Sequence, residues 1–225
     1  MAESRMFEDR RDAGRRLASL LEPYRDSGAV VLAIPRGGVE VGYQVASLLN
    51  LEFGIIIARK LPFPGNPEAG FGAVAEDGST YIADYAAQWF PESVVNRIVA
   101  EQRQEAARRV AVLRGGEPLP DIEGRTVILV DDGLATGATM RAAIMLCRAR
   151  RAARIVVAVP VAGEDVAQEF RGLADEVVVV LTPPGFRAVA QVYRHWYDVG
   201  DAEVLAIMER WRSEHQPRPA QAGSV

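Results

Sequence analysis

Cysteine is nearly absent from this chain: Cys147 is the only one in 225 residues. No disulfide can form within the chain, and a reducing compartment is expected. Its spacing from Ala143 and Met140 suits a core position on a helix better than a nucleophile's. Long apolar runs are missing too, none approaching the roughly 20 residues that cross a bilayer. The segment Met1 to Asp12 is charged where a secretory leader would be apolar. A cytoplasmic protein with no membrane partner is the expectation. No Gly-Lys-Ser/Thr occurs, which excludes a Walker-type nucleotide loop. Positive charge is not in excess either: the formal net charge is −4, which argues against a nucleic-acid partner. The basic group Arg148, Arg150, Arg151 and Arg154 follows a predicted helix end, where cations complement the dipole.

What is present is 49% hydrophobic residues, enough for one sizeable core, in an alternating pattern. Helical spacing predicts helices over Phe7–Leu21, Gly38–Leu49, Pro91–Leu113, Met140 to about Arg150, Glu164–Arg171 and Asp201–Arg212. Continuous apolar runs predict buried strands over Ala29–Ile34, Phe53–Ala58, Val127–Val130, Ile155–Val159 and Val177–Leu181. Leu61–Gly78, with prolines at 62, 64 and 67 and glycines at 65, 70, 72 and 78, reads as a long loop. The fold class is therefore α/β: a doubly wound, mainly parallel sheet with helices on both faces. One domain over residues 1–212 is expected, and residues 213–225 are polar and proline-bearing, read as a flexible tail.

The most informative stretch is Val127-Ile128-Leu129-Val130-Asp131-Asp132-Gly133-Leu134-Ala135-Thr136-Gly137-Ala138-Thr139. A buried strand delivers two acids to its C-terminal end, and a turn of small residues then opens a helix whose free amides suit an anion. Acids beside an anion cradle fit a ligand with both hydroxyls and phosphate. The first strand ends in Pro35-Arg36-Gly37-Gly38, offering close backbone approach and a forked cation, and the second ends in Arg59-Lys60. In open parallel sheets ligands bind beyond the carboxyl ends of the strands, so acids, cations and backbone donors would share one crevice.

The run 127–139 resembles the phosphoribosyl pyrophosphate (PRPP) signature of type I phosphoribosyltransferases: four hydrophobic residues, two acids, and a turn ending in Thr-Gly-x-Thr. The resemblance implies that Asp131 and Asp132 hold the ribose hydroxyls, while Ala135, Thr136, Gly137, Ala138 and Thr139 wrap the 5′-phosphate. Ile34-Pro35-Arg36-Gly37-Gly38 looks like the family's pyrophosphate loop, with a strained, often cis, peptide expected at Arg36–Gly37. Arg36, Gly37, Arg59 and Lys60 would meet the pyrophosphate, and Asp131, Asp132, Arg36 and Lys60 would carry catalysis. Leu61–Gly78 corresponds to the mobile loop that closes over PRPP, moving on the glycines at 70 and 72. The implied function is transfer of phosphoribosyl from PRPP to a nitrogenous base, purine or pyrimidine, with release of pyrophosphate. Mg²⁺ is the implied cofactor, held by pyrophosphate and ribose oxygens with Asp131 or Asp132 behind, through ribose or water. A homodimer is implied as well.

Ala135 stands where hypoxanthine-guanine relatives carry an acid, so no general base is assigned and a 6-oxopurine loses support. A hood built from the chain ends, the N-terminal helix and residues from about 183 to 212, would hold the base, with Phe186 as the candidate stacking ring. Tyr193, Trp196 and Tyr197 read as hood packing, and His195 as non-catalytic. The charged run Phe7–Gly14 reads as a solvated helix start, with cover over the site or a dimer seam as the alternative. The rival function is a non-catalytic regulator that senses PRPP or a nucleotide on the same fold. A sugar-phosphate hydrolase would need a water-activating group that the sequence does not offer.

Overall fold

The computed structural model describes residues 6–215. Its main sheet has five parallel strands: β1 (Val30–Ala33), β2 (Glu52–Ile55), β6 (Thr126–Val130), β7 (Arg154–Val161) and β8 (Glu176–Leu181), in the order β2-β1-β6-β7-β8. Helices α1 (Arg10–Leu20), α2 (Gly37–Leu49), α5 (Ala138–Ala149), α6 (Glu164–Phe170) and α7 (Asp201–His215) cover it. Side chains alternate across each strand: Val31, Ala33, Ile128 and Val130 face a core with α1, α2 and α7, while Val30, Leu32, Val127 and Leu129 face α5 and α6. Past their first residues the strands are therefore almost wholly apolar, as burial on both faces demands. The doubly wound expectation holds.

The order reverses between β1 and β6. From β1 the chain turns into α2 on one face, and from β6 into α5 on the other. The two connections leave neighbouring strands in opposite directions, which makes this the topological switch point where ligands of such sheets sit.

Residues 58–82 correct the expected long loop. Ala58–Phe63 is β3, Asn66–Ala75 is β4 and Thr80–Ile82 is β5, and they form a separate antiparallel sheet in the order β3-β4-β5. Arg59 and Lys60 thus lie inside β3, opposite Val74 and Ala73, and do not end a parallel strand. Pro62 is tolerated because β3 is an edge strand. Gly70 and Gly72 lie within β4, where a Cβ on Gly70 would press on Lys60 and one on Gly72 would overlap the Tyr81 carbonyl. Their missing side chains let neighbouring groups pack closely.

This sheet rests on α4 (Glu92–Arg114) through Leu61, Phe71, Val74, Val95 and Ile98. The short helix α3 (Ala86–Trp89) precedes α4. Ser213 to His215 continue α7, so that part of the expected tail is helical. The rest of the tail lies outside the described residues.

A buried ion pair adds to the apolar packing that joins the two sheets. Arg114 donates to Glu76 at 2.7 Å and to the Ile55 carbonyl at 3.1 Å, and Glu76 accepts from the Ile57 amide at 2.8 Å. Both side chains are about nine-tenths buried. Arg114→Met should cost about 3–5 kcal/mol, since it strands a buried carboxylate. Urea unfolding checks this, and a loss under about 1 kcal/mol would mean the tie lies elsewhere.

Candidate functional site

The acids emerge where β6 ends. Asp131 and Asp132 are half-buried, and the Asp132 amide donates to Asp131 Oδ1 at 2.8 Å. Burial, and then the neighbouring Asp132 charge, pushes the Asp131 carboxyl well above the usual range. Burial raises Asp132 too, opposed by the Arg10 guanidinium beside it.

The β1 loop closes against them from the other side of the switch point. A Cβ on Gly37 would overlap the Asp132 carboxylate, and one on Gly38 would stand 2.8 Å from the Asp131 Cα. These glycines therefore let α2 begin directly beside the acids. The structure carries a cis peptide in this loop at Pro35–Arg36, one bond earlier than the expected Arg36–Gly37.

Beyond Asp132 the loop turns back into α5. Leu134 is anchored by its amide to the Val161 carbonyl at 2.8 Å and is buried, while Ala135 and Thr136 stay exposed. Gly137 takes φ +71° at the helix N-cap, and a Cβ there would overlap the Phe170 ring. No side chain caps α5, so the first-turn amides at Ala138 and Thr139 lack intrahelical acceptors and face the loop. Free amides at the positive end of a helix make an anion cradle, because the N–H groups and the helix dipole both favour negative charge there.

The cations divide. Arg36 keeps 41% of its side chain exposed and stands 3.8 Å from Asp201 at the start of α7. Arg59 is half-buried, its Nε has no hydrogen-bond partner, and Arg36 and Arg109 lie near enough to lower its pKa after burial has done so. Lys60 leaves the opposite face of β3, its stem across Gly70. The structure thus brings Arg59 towards Arg36 and turns Lys60 away from that face. Phe186 is half-buried against Gly163 and lines an open cavity of about 520 Å³ with Ala135, Asp165, Thr182 and Pro184. That size is ordinary for small-molecule sites.

Sequence reasoning missed Arg10. The run Phe7–Gly14 is not a solvated helix start: Phe7, Arg10, Ala13 and Gly14 are buried. Arg10 Nε donates to Asp132 Oδ2 at 2.9 Å, Nη1 donates to the Tyr197 carbonyl at 2.9 Å, and the guanidinium lies 4.0 Å over the Trp196 ring. The signal was the spacing, since Arg10 falls on the same stripe as Ala13, Gly14 and Leu17. Tyr193 donates to the Asp132 carbonyl at 2.6 Å, and the Phe7 amide donates to Val192. The segments Phe7–Arg10 and Val192–Tyr197 therefore meet beside the acids. His195 stays exposed beside Glu8 at the rim. Cys147 is fully buried, its thiol pushed up to about 12 by burial.

Among the described residues no group of three or more His, Cys, Asp or Glu side chains could hold a metal by itself. No helix among them is long and apolar enough to cross a membrane.

Residues 8–182 match the model of the phosphoribosyl transferase domain, and the chain belongs to that family. It is 38% identical over 98% of its length to Rv0571c of Mycobacterium tuberculosis H37Rv, provisionally named a phosphoribosyl transferase, and equally to MT0597 of strain CDC 1551. The chain spans about half the length of these curated relatives, 49% in each case. The crystal structure of TT1426 from Thermus thermophilus is similar at TM-score 0.78 and 40% identity, over 92% of this chain and 99% of that one.

The raised Asp131 carboxyl sets a pH dependence. The unfolded chain releases this proton at lower pH than the native state, so folding stability falls as pH rises above about 3.9 towards the native value. Asp131→Asn removes that slope, so its stability relative to the native protein should rise as pH is taken upward from about 4. Urea midpoints across that range check it, and a constant difference would show that Asp131 is ionised throughout.

Proposed function

We propose that this chain binds PRPP and transfers its 5-phosphoribosyl group to a nitrogenous base, purine or pyrimidine, releasing pyrophosphate. The observation that carries the reading is the pairing at the switch point: two half-buried acids at the end of β6, followed within one loop by the uncapped N-terminus of α5. Phosphate on that helix would leave the ribose hydroxyls over Asp131 and Asp132. Family membership and the name of the Mycobacterium relatives support the same class.

In this reading the bond from the anomeric carbon to pyrophosphate breaks while a base nitrogen bonds to that carbon, and the base loses its N–H proton. Positive charge develops on the ribose ring, where the acids stabilise it. Negative charge develops on the leaving group, where Arg36 and Arg59 would meet it. Lys60, on the opposite face of β3, is the weaker candidate. The cavity beside Phe186 would take the base.

Mg²⁺ fits the donor set. Two carboxylates without a third suit an ion that takes most of its ligands from phosphate and water oxygens. Asp131 and Asp132 would hold it through ribose or water, and when bound it would neutralise charge on the pyrophosphate.

The test is pyrophosphate release from PRPP and Mg²⁺ across a panel of purine and pyrimidine bases. Asp131→Asn combined with Asp132→Asn should lower turnover about 100-fold or more. Binding of PRPP without turnover on any base would favour a regulator, and failure to bind PRPP would end the reading. Phe186→Ala should raise KM for the base about tenfold while leaving PRPP affinity within about twofold, as loss of one stacking ring predicts. Equal losses for both ligands would remove Phe186 from the base pocket.

A further inference from the structure

We infer that Arg10 is a positioning residue for the paired acids, fixing Asp132 through one carboxylate oxygen so that the other, together with Asp131, grips a vicinal diol. The inference rests on the sugar-phosphate reading above and adds a residue that stands 122 positions from the acid it holds.

Asp132 is held at three points. Arg10 takes Oδ2, the backbone amide is spent on Asp131 Oδ1, and the carbonyl accepts from the Tyr193 hydroxyl. The backbone contacts fix the residue, Arg10 fixes Oδ2 of its carboxylate, and an interaction with the Asp131 carboxyl keeps the two acids together. Arg10 is itself fixed, because the Tyr197 carbonyl and the Trp196 ring hold the guanidinium and its side chain is 3% exposed. Stability alone is a poor reason for such a pair, since well-packed apolar residues in place of a buried ion pair are often as stable or more so. A fork suits the task better than an ammonium, because one edge can reach the carboxylate while another reaches a carbonyl.

The position of the pair also fits. Arg10 enters from α1 and the chain-end segment, while the β1 loop and the α5 cradle border the acids from other directions. Glu40 on α2 is occupied separately, accepting from Tyr197 and Arg11. Arg10 therefore serves one acid, and that acid is one of the two that would face the sugar.

Two sugar phosphates that differ by one hydroxyl give the test. Ribose 5-phosphate and 2-deoxyribose 5-phosphate are titrated by calorimetry into the full chain and its variants. The native protein should prefer the ribose form about tenfold or more, as expected for a hydrogen bond to a charged group. Arg10→Met should reduce that preference to about twofold or less while holding 2-deoxyribose 5-phosphate within about threefold, since the phosphate cradle is untouched. Arg10→Lys should restore part of the preference. Arg114→Met, destabilised far from the site, should keep the native preference.

Proportional weakening of both ligands by Arg10→Met would show that Arg10 merely anchors the chain ends, and would overturn the inference. If that variant does not fold, Arg10→Lys decides: a preference lowered about threefold or more supports the role, and an unchanged one overturns it. A native protein that binds both sugars equally would instead overturn the reading of the acids as a diol clamp.

Discussion

Two adjacent carboxylates at the end of a strand buried on both faces are the constraint that the rest of this structure accommodates. Low-dielectric surroundings disfavour both charges, and each carboxylate disfavours the other. The accommodation is specific. Glycines at 37 and 38 bring α2 up against the pair, Arg10 neutralises one member, and the Tyr193 hydroxyl satisfies the Asp132 carbonyl. A chain selected for stability alone would have placed apolar residues at the end of β6. The acids and their retinue are a local departure from the rules that the other strands obey, which is how functional sites in otherwise consistent sequences present themselves.

The sheet was legible because its pattern is local. Four-residue apolar runs bounded by turns can be read one at a time, and the order of acids, small residues and helix at 131–139 lies within one window. The region 58–82 was illegible for a physical reason. Glycine and proline ordinarily mark loops, yet here Pro62 sits on an edge strand, and Gly70 and Gly72 clear space for Lys60 and Tyr81. The same residue types serve two opposite purposes, and only the neighbours decide between them. Arg10 was hidden differently. A charged run suggests a solvated face, and the partner that changes this meaning lies 122 residues away. The buried stripe of α1 did contain the clue, since an arginine recurring with Ala13, Gly14 and Leu17 must face the core or a charge within it.

Charge is sorted across the switch point. The acids stand on β6, while Arg36 and Arg59 gather beyond β1, with Arg109 of α4 behind them. Arg59 has a buried Nε without a partner, and Glu105, the nearby carboxylate, is already taken by Arg108 and Arg109 and driven down to about 2, chiefly by Arg108. Like charges held together and partly desolvated are costly unless an anion completes them. A ligand with hydroxyls at one end and phosphate oxygens at the other matches this separation, and a simple phosphate ester would leave one half of it unused.

The site has no local version. Its parts come from residues 10, 36–38, 131–139 and 186–197, and the short bridge between Phe7 and Tyr193 joins segments from opposite ends of the described chain. Each piece depends on the others. Without α1, Asp132 would lose its counter-charge; without the segment carrying Tyr193 and Tyr197, Arg10 would lose its second acceptor. The surroundings of the acid pair are therefore built from non-local contacts, the kind that slow folding. Without these contacts the carboxylates would stand in water, free of the burial that raises them.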